Sequence, residues 1–333
     1  MPLSSPSVTI ITGFYKRENV VERTLQSLLN QTHQDIEIIV FDDASPDGTA
    51  QSIKDFVAQA NDPRLVPIYH QKNIGFVAGL IDAVSKAKGR YIAIHGSGDV
   101  SFPQRIEKQK ALLDARQEVC IVGSHYENVI ELSGVRRLRT PNANTTTFEE
   151  LVRENVFTHG EVMFRKSAYD TAGGYRPQFV FCQDYDLWLR MIQLGQFATV
   201  PDLLYRRYVD FEGVSYKPAK FIQQSRLAIL ARQLSRLSME VQDQQLARVT
   251  LDNLADHVPL SNGSLQKTVL KAVLRAVVWG NNDLAKELAD GFVTSRVWSF
   301  GLCGMIFLVK KMPFLYRLMI CATGSSTIKE ASR

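Results

Sequence analysis

The sequence has few cysteines, and none of them forms a CxxC pair. Four are scattered through the 333 residues: Cys120, Cys182, Cys303 and Cys321. A disulfide framework or a structural zinc site needs closely spaced cysteines, so the pattern indicates reduced, buried thiols instead. Residues 1–5 also lack the basic and apolar regions of a secretion signal, and we expect a cytoplasmic protein.

Long hydrophobic runs are equally scarce. The longest uncharged apolar segment, residues 297–309, has 13 residues, and a bilayer-spanning helix needs about 20. Lys310 and Lys311 follow it, and then a second apolar stretch begins at Pro313. This arrangement favours a segment lying in the membrane interface, at the inner face of the cytoplasmic membrane. The alternative is a helix packed on the rest of the protein, with Trp298 and Phe300 in the core.

The charge is unevenly distributed, although 45% hydrophobic and 22% charged residues are ordinary for a globular protein of about two structural units. Residues 217–333 carry 16 Lys and Arg against 8 Asp and Glu, whereas residues 1–216 carry 23 against 26. A basic segment suits an anionic membrane surface or a nucleic acid. We expect no nucleic-acid partner, because the basic residues are dispersed and no nucleic-acid-binding signature is present.

Strand and helix patterns alternate through the first 115 residues. This alternation predicts an α/β fold with a mostly parallel, Rossmann-like sheet flanked by helices. The predicted strands are Val8–Ile11, Ile36–Phe41, Leu65–Tyr69 and Tyr91–His95, and the predicted helices include Asn19–Asn30 and Phe76–Lys86.

The pattern is less regular after Cys120. Residues 136–147, with three arginines and a Thr/Asn-rich stretch, are interpreted as a mobile loop, and residues from about Lys217 onward are predicted to be helical. The further predicted strands are Val119–Ser124, Glu127–Val135, Glu161–Phe164, Phe197–Val200 and Leu203–Tyr208, and the further predicted helix is Asp184–Leu194.

Two adjacent carboxylates, Asp42 and Asp43, follow the second predicted strand. Ligands of open α/β sheets bind at the carboxyl ends of strands, and paired acids there can accept hydrogen bonds from a nucleotide base and ribose. The alternative is a solvated turn in which Asp47 caps the next helix. Gly13 and Tyr15 follow the first strand, where a glycine allows close approach and an aromatic ring can stack on a base. A core tyrosine is the other interpretation of Tyr15.

Two further acids lie at ends of predicted elements. Asp99 follows the small residues Gly96, Ser97 and Gly98, which leave room for a ligand or cation, and a carboxylate there can bind a divalent metal that bridges phosphates. Asp184 begins an amphipathic helix, where it can act as a general base. Both acids could instead be ordinary helix caps.

The order of these motifs resembles glycosyltransferase family 2, which has the GT-A fold, over roughly residues 7–215. The resemblance depends on the joint spacing of several short motifs rather than on any one of them. They are Gly13–Arg17, Ser27–Thr32, Asp42–Thr49, Asn73–Gly75, His159–Arg165, Gly173–Tyr175, Gln183–Asp184 and Asp186–Arg190.

The resemblance implies a role for each matching residue. Gly13 and Tyr15 would border the nucleobase, Asp43 would bind the uracil or equivalent base, and Asp42 would support that loop. Asp99 would be the metal-binding acid for Mn²⁺ or Mg²⁺, with Ser97 beside the donor. Asp184 would be the catalytic base, and His159 and Trp188 would lie on the acceptor side. A structural, hydrogen-bonded histidine is the alternative for His159.

Several positions depart from the family pattern. The family usually has acids where this chain has Gly96 and Gly98, and often has Glu at Gln183. Tyr208 stands where relatives often have His, and Leu80 and Lys16 replace a common Arg and Asn. We therefore expect weaker metal affinity than is usual in the family.

The resulting expectation is an inverting glycosyltransferase with residues 1–216 as catalytic domain and residues 217–333 as a basic helical region. It would transfer a sugar from a nucleotide-diphosphate donor, with UDP favoured, to a hydroxyl of a glycan or lipid-linked acceptor in cell-surface polysaccharide synthesis. The alternative is a catalytically degenerate relative that binds nucleotide sugars or acts as a scaffold. An NAD-linked oxidoreductase is disfavoured because no GxGxxG follows the first strand.

Overall fold

The computed structural model describes residues 6–131, 134–209, 217–278, 281–295, 301, 302 and 304. The chain divides into two compact units, residues 1–210 and 211–333. We describe each unit by itself. The predicted catalytic and membrane-surface roles of the two parts remain predictions.

The first four strands of unit one form a parallel sheet in the order β3-β2-β1-β4. Strands β1, β2 and β4 are buried along their length, and helical crossover connections between successive strands make parallel pairing possible. The elements are β1 (Val8–Phe14), α1 (Val21–Leu29), β2 (Ile36–Asp42), α2 (Thr49–Ala60), β3 (Leu65–Tyr69), α3 (Phe76–Lys86), β4 (Tyr91–His95), β5 (Val100–Ser101) and α4 (Arg105–Ala115).

The remaining strands extend the same nine-stranded sheet through mixed pairing. Strand β8 lies antiparallel between β4 and β6, whereas β6 pairs parallel with β9, whose far edge holds β5. The elements are β6 (Val119–Ile130), β7 (Arg136–Arg139), α5 (Phe148–Arg153), β8 (Met163–Arg165), α6 (Lys166–Thr171), α7 (Gln183–Met191) and β9 (Gln196–Val209).

The structure confirms the α/β fold and corrects parts of the second half. The prediction of a loop over residues 136–147 was wrong for Arg136–Arg139, because these residues pair antiparallel with β6. The two strands predicted within residues 119–135 are one strand, β6, and the two predicted within residues 197–208 are one strand, β9. Bulges in the β6–β9 register explain why each sequence pattern is interrupted.

The core lies between the sheet and helices α1, α2 and α4. Side chains from alternate positions of β1 and β2 meet apolar residues of these helices, as expected from the two-residue period of a strand. Completely buried members include Ile10, Leu25, Ile38, Ile53 and Ile106. The packing fixes the carboxyl ends of β1, β2 and β4 at one edge.

Unit two is helical over its described residues, as the sequence predicts. Its helices are α8 (Pro218–Leu234), α9 (Met239–Leu246), α10 (Leu254–His257), α11 (Gly263–Val278) and α12 (Asn282–Phe292). Among the residues the structure describes, no helix is both long and apolar enough to cross a bilayer. The predicted interfacial segment, residues 297–320, lies outside the described residues except for positions 301, 302 and 304.

Candidate active site

Asp43 lies immediately after β2 and is almost completely buried. Its Oδ1 accepts the Ile74 backbone N–H at 2.9 Å and lies 3.0 Å from His70 Nδ1, and its Oδ2 accepts the Gly75 N–H at 2.8 Å. The carboxylate therefore holds the turn that begins α3. These contacts suit a supporting role, although the family resemblance assigns Asp43 to the base.

Of the two acids Asp42 and Asp43, Asp42 is the one that has a carboxylate oxygen without a hydrogen-bond partner among the described residues. Its Oδ2 accepts the Ser45 N–H at 3.1 Å, whereas Oδ1 is buried and has no hydrogen-bond partner among the described residues. A buried carboxylate oxygen without a partner is costly unless a ligand supplies a donor. Among the described residues, Asp42 therefore has an unsatisfied acceptor oxygen, whereas both Asp43 oxygens are engaged.

Gly13 and Tyr15 border the same edge. A β-carbon at Gly13 would overlap the Phe41 ring, so glycine is required there by packing. The Tyr15 ring is 44% exposed, with Lys16 Nζ 5.4 Å from its centroid, and is available for stacking. The Lys16 N–H donates to Ser45 Oγ at 3.0 Å, which ties this loop to the one that carries Asp42.

Asp99 lies in the loop between β4 and β5 and is buried. Its Oδ2 accepts a hydrogen bond from the Tyr205 hydroxyl at 2.6 Å, and its Oδ1 accepts the Tyr208 N–H at 2.9 Å. Burial raises the pKa of Asp99 to about 6, although the tyrosine contacts and the charges of Arg207 and Arg23 oppose the shift. Ser97, partly buried, belongs to the same loop.

The residues around Asp99 fit a divalent metal poorly. Both carboxylate oxygens already accept hydrogen bonds, and two arginine charges lie nearby. Among the described residues, no group of three or more His, Cys, Asp or Glu side chains is arranged to hold a metal. Hard cations need several oxygen ligands, and here Asp99 is the single acid of the family stretch.

A second group of polar residues surrounds His159. The His159 Nε2 lies 2.7 Å from the Tyr175 hydroxyl, and its Nδ1 lies 3.4 Å from the amide nitrogen of Gln183. Burial lowers the pKa of His159, while the neighbouring Asp184 carboxylate opposes that shift. His159 is thus held by hydrogen bonds beside the predicted base.

Asp184 lies in the first turn of α7, where a negative charge is favoured by the helix dipole. Asn155 Nδ2 is 3.5 Å from its Oδ2, a long contact. No hydrogen bond to Oδ1 is found within the described part of the chain, and the residue is partly exposed. One carboxylate oxygen is therefore available to an acceptor hydroxyl.

Trp188 is fully buried and cannot itself contact an acceptor. Its ring lies 6.2 Å from the His159 ring and 5.9 Å from the Phe164 ring, measured between centroids. The predicted acceptor-side role of Trp188 is therefore corrected to support of His159 from behind.

Close packing connects the two halves of the site. A β-carbon at Gly160, next to His159, would overlap the Tyr205 hydroxyl and lie 3.3 Å from the Gly96 nitrogen. The Gly96 N–H donates to that hydroxyl at 3.0 Å. On the other side, the Phe76 ring at the start of α3 meets the His159 ring edge-on at 6.1 Å. These contacts place His159 beside the Gly96 loop and the start of α3.

Sequence reasoning missed the roles of Tyr175 and Tyr205. Tyr175 belongs to the motif Gly173–Tyr175, so the family resemblance marked its position but did not indicate what its hydroxyl contacts. Tyr205 is one of the inward-facing residues of β9, and only the bulged register with β6 reveals that its hydroxyl reaches Asp99.

Comparison with known proteins agrees with this geometry. The Glycosyl transferase family 2 pattern matches residues 9–173. The chain is 34% identical over 237 residues to the putative glycosyltransferase EpsE of Bacillus subtilis, covering 70% of this chain and 83% of EpsE. It is 29% identical over 200 residues to the amylovoran biosynthesis glycosyltransferase AmsE of Erwinia amylovora, covering 59% and 74%.

Solved structures show the same fold at low identity. S. aureus TarS 1-349 in complex with UDP-GlcNAc superposes with a TM-score of 0.57 at 14% identity, covering 92% of each chain. The mannosyltransferase PcManGT of Pyrobaculum calidifontis, in complex with GDP-Man and Mn²⁺, gives 0.55 at 16% identity, covering 95% of this chain and 84% of PcManGT.

The fold and the relatives together define a GT-A glycosyltransferase. More specifically, the chain belongs to glycosyltransferase family 2.

Proposed function

We propose that the protein transfers a sugar from a nucleotide-diphosphate donor, with UDP as the favoured nucleotide, to a hydroxyl of a growing glycan or lipid-linked acceptor. The observation that carries the proposal is the exposed Tyr15 at an edge where, within the described residues, Asp42 Oδ1 has no hydrogen-bond partner. Such an oxygen suits the N–H of a pyrimidine base, and the tyrosine suits its flat face. The bound nucleotides of TarS and PcManGT support the same donor class.

The reaction we propose is a single displacement with inversion. The acceptor oxygen forms a bond to the anomeric carbon while the bond from that carbon to the diphosphate oxygen breaks. The hydroxyl proton passes to Asp184, and the nucleoside diphosphate leaves with the bonding electrons. Asp184 has a free oxygen for this role, and a positioned base contributes about 10²- to 10⁴-fold to rate.

A divalent ion would bind the diphosphate at Asp99 if this chain followed PcManGT, which was solved with Mn²⁺. When bound, such an ion would neutralise charge on the leaving group. The donor set around Asp99 supports this assignment weakly, because both oxygens are engaged by Tyr205 and Tyr208. We therefore assign no step of the reaction to a metal.

Asp184→Asn tests the proposed base. We expect transfer from UDP-sugars to fall by 10²-fold or more, because the amide cannot accept the proton, while calorimetric UDP binding stays within about twofold of wild type. A parallel loss of UDP binding and transfer would contradict the role. Asn155→Ala, which removes the long contact to Asp184 and the 3.4 Å hydrogen bond from the Phe157 N–H, serves as the matched control.

A degenerate, sugar-nucleotide-binding protein is the second candidate, and Gly96, Gly98 and Gln183 in place of acids favour it. The two candidates differ in turnover. Wild type that binds UDP-sugars but neither transfers nor hydrolyses them, with or without Mn²⁺, would establish the degenerate protein.

We also propose that the basic second unit attaches the enzyme to an anionic membrane, where a lipid-linked acceptor would be found. The excess of 8 positive charges over residues 217–333 and the apolar run 297–309 support this. Sedimentation with vesicles containing phosphatidylglycerol should be reduced severalfold by the pair Lys310→Glu and Lys311→Glu. Unchanged sedimentation, or equal sedimentation with neutral vesicles, would contradict the proposal.

A further inference from the structure

Three positions at which the family resemblance leads us to expect metal ligands carry none in this chain. Gly96 and Gly98 replace two acids, and Tyr208 replaces a histidine. The loop is built around these replacements. A β-carbon at Gly96 would overlap Asp99 Oδ2. Gly98 has a φ of +98°, a backbone conformation that residues other than glycine rarely adopt. Two arginines occupy the surroundings of this altered loop.

We propose that the diphosphate of the donor is held by Arg23 and Arg207, near Asp99, rather than by a divalent metal. The inference rests on the proposed nucleotide-diphosphate donor and names the groups that neutralise it. Arginine suits the role because its planar fork binds phosphate oxygens through two parallel hydrogen bonds and its charge is permanent.

Arg23, on α1, lies against two of the three altered positions. Its guanidinium stacks over the Tyr208 ring at 3.8 Å from the centroid, and its Nη2 is 3.4 Å from where a Gly98 β-carbon would be. Nη1 pairs with Glu131 at 2.8 Å, an exposed partner, whereas Nε is buried and unpaired among the described residues. The stacking fixes the guanidinium beside the loop, where relatives have carboxylates.

Arg207 approaches from β9, one residue before Tyr208. It is exposed, and within the described ranges its side chain has neither a hydrogen bond nor an ion pair. Its charge reaches the buried acids of the site, since it lowers the pKa of both Asp99 and Glu161 against the effect of burial. Tyr205 and Tyr208, its neighbours on β9, both donate hydrogen bonds to Asp99, so Arg207 lies near that carboxylate. With no ion-pair partner among the described residues, its charge is available to an anionic ligand.

The same arrangement disfavours a metal. A divalent cation at Asp99 would be repelled by two guanidinium groups and would compete with the Tyr205 and Tyr208 donors for both carboxylate oxygens. The missing acids and the two arginines are therefore consistent with each other. The acidic ligands and the metal that the family pattern implies are replaced in this chain by two permanently charged guanidinium groups.

The test measures binding of uridine and UDP, with guanosine and GDP in parallel, by calorimetry in EDTA and in Mn²⁺. We expect wild type to bind the diphosphate with the same affinity, within about threefold, in both. Arg23→Ala and Arg207→Ala should each weaken diphosphate binding by about 10- to 100-fold, the usual loss for a hydrogen bond to a charged group, and leave nucleoside binding unchanged. The Lys variants at both positions should lose less than the Ala variants.

Arg90→Ala is the matched control, because it removes an exposed arginine just before β4, at the end of the strand opposite to Asp99. Tightening of diphosphate binding by Mn²⁺ of more than tenfold would overturn the inference and leave the donor class intact. Wild-type affinity of both alanine variants, or an equal loss of nucleoside and diphosphate binding, would also overturn it. Failure of wild type to bind any nucleotide would instead remove the proposed function, and the inference with it.

Discussion

Asp42 and Asp43 are neighbours in the chain with different surroundings, and the difference decides what each can do. Asp43 accepts two backbone N–H groups and contacts His70, so its oxygens are occupied by the protein. Asp42 has one oxygen without a hydrogen-bond partner in the part of the chain that the structure describes. The family motif contains both acids and does not distinguish them. The sequence alone does not show which carboxylate accepts hydrogen bonds from the turn at residues 73–75.

Substitution of each acid by Asn should separate the two roles. Asp43→Asn places an amide N–H₂ against backbone donors, and we expect a loss of about 2 kcal/mol in unfolding free energy with correspondingly weaker nucleotide binding. Asp42→Asn should weaken uridine binding by about tenfold or more at nearly unchanged stability. Urea unfolding and calorimetry measure the two effects. The reverse pattern would return the base to Asp43.

At the scale of the element, α7 positions Asp184. A set of buried contacts made by Asp186 and Arg190, here called the clamp, holds this helix in place. Asp186 Oδ2 pairs with Arg190 Nη2 at 2.6 Å, and Arg190 also donates to the carbonyls of Ala172 and Gly174. The clamp joins α7 to the segment that carries Tyr175, the partner of His159. A spacing of four residues in the sequence is compatible with an ordinary pair on a helix surface, and it does not indicate burial, which depends on what packs outside the helix.

Asp186→Ala should therefore be strongly destabilising. Removal of one member of a buried pair leaves an uncompensated charge, and we expect a loss of about 3–5 kcal/mol by urea unfolding. Asp170→Ala is the control, because Asp170 forms a similarly spaced pair with Lys166 at the surface. Such exposed pairs contribute about 0.3–0.5 kcal/mol. Equal losses of unfolding free energy for the two substitutions would show that the buried clamp stabilises the fold no more than the surface pair does.

The sequence predicts elements well where one pattern runs without interruption. The bounds of α3 and β4 were predicted correctly, because each has a regular period and glycine or lysine at its ends. Strand β7 was missed, since its three arginines and lone leucine show no apolar alternation, and its strand form depends on pairing with β6. The role of Tyr205 was missed for the same reason: a contact 106 residues away in sequence has no local signal.

At the scale of the whole of unit one, the two halves of the sheet supply different parts of the candidate site. The parallel half supplies Tyr15, Asp42 and Asp99 from loops at one edge. The mixed half supplies His159 and Tyr205. The Tyr205 hydroxyl packs against Gly160, the residue after His159, and accepts the Gly96 N–H. Antiparallel β8, inserted between β4 and β6, is what brings the His159 turn to this edge. The convergence of distant motifs is thus a consequence of topology.

The turn that carries His159 also contains a fully buried acid, Glu161, and its titration should control the stability of the whole unit. Burial raises the pKa of Glu161 from 4.5 to about 8, although Thr158 and Arg105 oppose the shift. Between these pH values the folded protein keeps a proton that the unfolded chain has released. Stability from this group is therefore complete below pH 4.5 and is lost as the pH rises towards 8.

Glu161→Gln removes this titration while keeping an acceptor for the Thr158 N–H, now 3.2 Å from Oε1. We expect the melting temperature of wild type to fall more steeply than that of the variant between pH 5 and pH 8, with a difference of a few kcal/mol in unfolding free energy at the upper end. Because Asp99 titrates in both proteins, its contribution cancels. Glu22→Gln, at an exposed position of α1, removes the same charge and should give a profile parallel to wild type. Parallel profiles for Glu161→Gln as well would mean that Glu161 is ionised in the fold, held by the nearby Arg105 and Arg207 charges rather than by a proton.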